Sequence, residues 1–159
     1  MRYLILLCCA SCSWTWDCTD QDGAWAGTGA CIMEDNGQIP TEVWEIEQAV
    51  KVFTDVSGYS IPSDQTIQIY VRPEMISCPR FSDVGCYGIY FPQSGVLEFV
   101  REAEDVCLSS TAFMHEWAHV LLAYLRPTFG HEDIEFFGAD GLLFRAMSKY
   151  YLDYCAGDE

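Results

Sequence analysis

Apolar residues recur at three- and four-residue steps at Val43, Ile46, Val50 and Phe53, with Glu42 and Glu45 toward the start of the run and Ser57-Gly58 at its end. This period predicts an amphipathic helix opening at Pro40-Thr41, with carboxylates at the positive end of the helix dipole and glycine as the stop. Strict alternation comes next in Thr66-Ile67-Gln68-Ile69-Tyr70-Val71-Arg72 and halts at Pro73, as in a half-buried strand. Two more strand-like runs, 85–91 and 95–100, flank the turn Pro92-Gln93-Ser94 and are expected to pair as a hairpin. Over 110–125 the period is helical again, closed by Arg126-Pro127 because the residue before proline is pushed out of the α region. A last helix is expected over 140–154, with Leu143, Met147, Tyr150, Tyr151 and Tyr154 on one side. Residues 13–39 mix Trp14, Trp16 and Trp25 with glycines and short polar residues and read as hairpin and loop. Asp20-Gln21-Asp22-Gly23 resembles the start of a calcium loop, but no Glu stands at the required spacing after it, so it is read as an Asp-Gly turn.

Composition narrows the picture. A chain of 159 residues that is 50% hydrophobic and 14% aromatic fits one folded domain with a closed core. Its 8 basic against 24 acidic residues give a formal charge of −16, which repels phosphate backbones and argues against nucleic-acid partners. No apolar run approaches the roughly 20 residues of a membrane span. Met1-Arg2, the apolar run over 3–10 and the small residues Ala10 and Ser11 have the form of an export leader over 1–11. Cleavage before Cys12 would leave the cysteine that carries the lipid of a bacterial lipoprotein. The run Cys9-Ala10-Ser11-Cys12 resembles a lipobox, with Cys9 where leucine is usual. Cys9 and Cys12 also have Cys-x-x-Cys spacing, but inside a leader this carries no redox or zinc pair. Beyond the leader and Cys12 stand Cys18, Cys31, Cys78, Cys86, Cys107 and Cys155, an even set suited to three disulfides in an oxidising compartment. Pairing of sequence neighbours, Cys18 with Cys31, Cys78 with Cys86 and Cys107 with Cys155, is the simplest arrangement. The chain is thus divided into a leader (1–11), a Cys/Gly/Trp-rich N-terminal loop segment (12–39) and a main domain (40–159).

Chemistry concentrates in His115-Glu116-Trp117-Ala118-His119, within the expected helix 110–125. Residues four apart lie one turn above each other, so both imidazoles leave one face, about 40° apart, and Glu116 stands about 100° round the axis from His115. Phe113, Met114, Trp117, Val120, Leu121, Tyr124 and Leu125 fill the opposite arc, so packing is served without the histidines. Such a helix is suited to lining a cleft and holding a metal ion.

This motif resembles that of the zincin metallopeptidases, whose HExxH helix supplies two zinc ligands and a catalytic glutamate. Zinc needs a third protein ligand and one open position for water. The segment Gly130-His131-Glu132-Asp133-Ile134-Glu135-Phe136-Phe137 is similar to the one by which SprT-like and WLM-type zincins supply a third histidine, here with four residues instead of three before the aromatics. The resemblance implies His131 as third ligand. Glu135 (as in gluzincins) and Asp133 (as in aspzincins) are the alternatives, and the metzincin pattern is not matched because Leu122 and Leu125 stand at its glycine and histidine positions. The resemblance covers residues 110–137. It implies an α+β, zincin-like fold: a small twisted, mainly antiparallel sheet on an N-terminal helix and the HExxH helix, plus a C-terminal helix, stapled by disulfides. It also implies that 88–91 or 97–100 forms the strand edging the cleft.

The expectation is a secreted, periplasmic or envelope-anchored zinc peptidase, monomeric, acting on a peptide or protein, with Zn2+ on His115, His119 and His131. Glu116 is its general base, and the only tie to a membrane is a lipid on Cys12. An oxyanion donor is sought among Tyr87, Tyr90, Tyr150, Tyr151 and Tyr154, because Tyr124 falls on the wrong face of the helix. The alternatives are a non-catalytic, disulfide-rich secreted binding domain with a structural or relic zinc site, and another hydrolase, such as an amidase, using the same metal and base.

Overall fold

The computed structural model describes residues 24–26, 30–34, 43–62, 65–78, 85–101, 106–126 and 130–156. The expected leader, Cys12, Cys18 and the Asp20–Gly23 turn lie outside the described residues. In chain order the elements are β1 (Ala24–Ala26), β2 (Ala30–Glu34), α1 (Val43–Ser57), β3 (Ile67–Arg72), β4 (Ile76–Ser77), β5 (Gly85–Cys86), β6 (Gly88–Phe91), β7 (Val96–Val100), α2 (Val106–Leu125), α3 (Ile134–Phe137) and α4 (Leu142–Tyr150). A π-helical turn, Tyr151–Cys155, continues α4.

The expected periods are present. Helix α1 buries Ile46, Ala49, Val50, Val52 and Phe53 and stops where Gly58, at φ 72°, donates its N–H to the Thr54 carbonyl. Strand β3 alternates buried Ile67, Ile69 and Val71 with half-buried Gln68, Tyr70 and Arg72. On the outward side Arg72 Nη2 pairs with Glu98 Oε1 at 2.7 Å, and its guanidinium lies 5.3 Å over the Tyr70 ring.

The main sheet has the order β1-β2-β3-β7-β6, with β4 and β5 paired separately. It is mixed, which corrects the expectation of a mainly antiparallel sheet: β2–β3 and β3–β7 are parallel, and only the outer pairs β1–β2 and β6–β7 are antiparallel. The reason lies in partner choice, which local alternation does not encode. Helix α1 carries the chain back between β2 and β3, the crossover that parallel neighbours require. The hairpin then docks through its second strand, because β7 buries Leu97, Phe99 and Val100 whereas β6 buries no residue fully and runs into Pro92. Strand β6 therefore ends the sheet and β7 lies inside it, which removes 97–100 as an edge. The 13–39 region contributes the β1–β2 hairpin to this same sheet.

Helices α1, α2 and α4 pack together into one core with the inner faces of β3 and β7. Phe113, Met114, Trp117, Val120 and Leu121 are buried as expected, joined by Ala118 and Leu122. Tyr124 and Leu125 are exposed because the last turn of α2 outruns the core. Helix α2 begins at Val106, four residues before the expected start. Helix α4 buries Leu142, Leu143, Ala146 and Tyr150, but Tyr151 and Tyr154 are exposed. The π turn, in which the Ala156 N–H reaches the Tyr151 carbonyl, carries these two off the buried stripe. Two neighbour pairings are present, Cys78–Cys86 (Cα–Cα 5.4 Å) and Cys107–Cys155 (6.2 Å). Cys31 is disulfide-bonded as well. These bonds point to an oxidising, extracytoplasmic setting. No described helix is long and apolar enough to cross a membrane.

Candidate metal centre

Helix α2 presents His115 and His119 one turn apart, on the side that the core leaves open. The chain then leaves α2 at Arg126, and His131 returns to the same place. Its Nε2 lies 2.9 Å from Nε2 of His115 and 3.3 Å from Nε2 of His119. One ligand atom from each of the three falls within 4.8 Å of the others, so the three histidines can hold a metal ion. Three nitrogens around one ion at about 2.0–2.1 Å stand about 3.3 Å apart, a spacing that the two distances to His131 approach. Burial, reinforced by the neighbouring His119 and His131, pushes His115 down to about 4, which keeps its lone pair free at neutral pH.

His131 is exposed, and its loop is held through residues 133–137. Asp133 caps α3 by accepting the Phe136 N–H at 3.1 Å. Phe136 is fully buried and stacks with Phe53 and Tyr59. The Arg126 guanidinium lies over the same ring and pairs with both Asp133 and Glu135, and Glu135 also accepts the Tyr59 hydroxyl at 3.3 Å. The two carboxylates weighed as alternative ligands are thus engaged by Arg126, outside the three-histidine group. Their signal was legible as an N-cap: Asp133 precedes a short apolar run and Glu135 lies in its first turn.

Glu116 is buried, 9% exposed, between α2 and the edge strand β6. An ideal Cβ on Gly88 would stand 2.6 Å from Glu116 Cγ and 3.2 Å from Oε1, so only glycine lets the strand approach this closely. The Val100 N–H bonds to the Tyr87 carbonyl, which in this register turns the backbone groups of Gly88 and Tyr90 away from β7 and toward the open edge. The Tyr90 N–H donates to the Glu116 carboxylate. Burial nevertheless pushes that carboxyl up to about 7, the hydrogen bond offsetting part of the rise. A cation on the histidines would lower it again.

The tyrosines expected to offer an oxyanion donor are dispersed. Tyr150 is buried and accepts the Ser110 hydroxyl at 3.2 Å, and the Tyr154 hydroxyl donates to Gln48 at 3.0 Å. Tyr90 packs against the core, and Tyr87 and Tyr151 are exposed. Gly88 and Arg126, which shape the site, carried no motif in the sequence.

No family model, no curated protein and no solved structure matches the chain. The zincin resemblance accordingly rests on residues 110–137 alone.

Proposed function

We propose that this protein is a zinc-dependent peptidase of the HExxH type, exported from the cytoplasm, with His115, His119 and His131 as metal ligands and Glu116 as general base. The observation that carries the proposal is the convergence of three imidazole nitrogens within 4.8 Å beside a buried glutamate that comes directly after the first of them in sequence. A set of three neutral imidazoles suits zinc and leaves a fourth position open. Zinc in this place supplies Lewis acidity, which acidifies water and polarises a peptide carbonyl. Glu116 takes the proton of the attacking water and delivers it to the leaving amine. Gly88 and the Tyr90 amide hold its carboxylate against the edge strand. The outward Gly88 N–H and C=O and the Tyr90 C=O of β6 can pair with an extended peptide by strand addition, which brings the scissile bond alongside α2. The disulfides and the leader-like residues 1–11 support an extracytoplasmic site of action.

Metal analysis of the purified protein together with peptide-library cleavage tests this. Wild type is expected to bind about one zinc and to cleave, a chelator to abolish cleavage, and Glu116→Gln to keep zinc while losing about 100-fold or more in turnover. Zinc retention without cleavage by the wild type would leave the structural-zinc binding domain as the better account, and cleavage confined to non-peptide amides would leave the amidase.

A further inference from the structure

The ring of Phe137 touches all three histidines: its centroid lies 5.5 Å from that of His115, 4.6 Å from His119 and 4.8 Å from His131. The imidazole centroids are themselves 5.1, 5.0 and 4.7 Å apart, so the four rings stand at the corners of a near-regular tetrahedron. The phenyl therefore sits about 4 Å off the plane of the three imidazole centroids, close to its middle. An ion at 2.0–2.1 Å from three nitrogens lies about 1.5 Å to one side of that plane. On the phenyl side the ion would be less than about 3 Å from the ring centroid, where neither the ion nor its water has room. On the other side the separation is about 5.5 Å and the fourth position opens away from the ring.

Two observations place the phenyl on the core side. Phe137 packs against the hydrophobic core, and its neighbour Phe136 is fully buried there, whereas His131 is exposed. We propose that Phe137 is a positioning residue, an apolar floor beneath the three imidazoles. It orients the rings toward a cation on the opposite, solvent-facing side and bars a second water from reaching the ion from behind. This inference rests on the three-histidine metal site and adds what limits its coordination number. An apolar shell controls solvent access and local dielectric at a metal site, so its effect reaches both affinity and the acidity of water at the open position.

The test uses zinc affinity by competition with a chromophoric chelator and the visible spectrum of the cobalt(II)-substituted protein, neither of which needs a substrate. Wild type is expected to show the intense d–d bands of four-coordinate cobalt. Phe137→Ala is expected to bind zinc about 10- to 100-fold more weakly, with the weaker bands of five-coordinate cobalt as water enters behind the ion. Phe137→Leu, which keeps an apolar cover, is expected to restore most of both. Phe137→Gln keeps the bulk but admits water, and carries the test if the alanine variant does not fold, as judged by thermal unfolding in chelator. Failure of the wild type to bind any metal overturns the metal site itself. Wild-type binding with unchanged affinity and spectrum in Phe137→Ala or Phe137→Gln overturns only the floor. Tighter binding in Phe137→Ala would show a phenyl that obstructs the ion, and overturns it too.

Discussion

Substituting alanine for Gly88 is expected to destabilise the protein through Glu116 and through no other residue. The added methyl carbon would stand 2.6 Å from Glu116 Cγ and 3.3 Å from Cδ, whereas carbon atoms rest comfortably at about 3.5–4.0 Å. The glutamate must therefore retreat by roughly 1 Å, or β6 must lift from α2. Overpacking of this kind costs about 1–3 kcal/mol. Weakening the Tyr90 amide hydrogen bond to the buried carboxylate adds about 1–3 kcal/mol. An edge strand yields more readily than an inner one, so a total of about 2 kcal/mol is expected. Gly88 does not have a positive φ, so alanine is free to adopt its backbone conformation. Lower unfolded-state entropy then returns about 0.4–1 kcal/mol. In a Glu116→Ala background, which lacks the colliding Cγ, the same substitution should thus be neutral or stabilising. The assay is a double-mutant cycle of four proteins unfolded in urea with chelator present and disulfides intact. A coupling of about 2 kcal/mol is expected. Equal destabilisation by Gly88→Ala in both backgrounds would show that the close approach is not to Glu116.

Replacing Arg126 with methionine should free Asp133 and Glu135, loosen the His131 loop and weaken zinc binding by about 10- to 100-fold, measured by chelator competition; unchanged affinity would mean that α3 is held by Phe136 alone. Removing Cys107–Cys155, which joins residues 48 apart, should cost about 4 kcal/mol on the chain-entropy model, against about 2.5 kcal/mol for Cys78–Cys86 with a separation of 8, and urea unfolding of the paired alanine variants gives the order. The Tyr90 hydroxyl is pushed up to about 12, by burial first and by Tyr124 second. Its stabilising contribution is therefore complete below pH 10 and is lost between pH 10 and 12, because the unfolded chain releases that proton first. Tyr90→Phe should flatten this alkaline loss, and an equally steep fall in the variant would assign it elsewhere.

What the sequence disclosed was whatever repeats within a few residues. The steps from Val43 to Phe53 and the alternation of Ile67, Ile69 and Val71 name α1 and β3 because burial imposes those periods directly. Sheet order was hidden, since Val96–Val100 reads the same whether β3 beside it runs parallel or antiparallel, and only the superior burial of β7 over β6 decides. The pair His115 and His119 was legible through helical geometry. His131 was legible through its nearness to His119 and the likeness of its segment, whereas the Phe136 anchor that holds its loop was hidden because it acts through Phe53 and Tyr59, distant in sequence. The aromatic stripe expected on the last helix failed at Tyr151 and Tyr154, where a widened turn breaks the 3.6 period. Gly88 and Phe137 matter because of the groups that stand opposite them, and neither neighbour is local.

The pairing of scarce cations has an electrostatic consequence at longer range. Arg72, Arg126 and Lys149 each face a carboxylate, and with every Lys and Arg counted against an acidic residue the chain still carries a surplus of sixteen negative charges. Divalent ions will gather in the resulting negative atmosphere, and loading of the histidine cluster should quicken as background salt is diluted and the Debye length grows beyond about 10 Å. The acidic exterior would thereby act as an antenna for any divalent cation that the three histidines can hold.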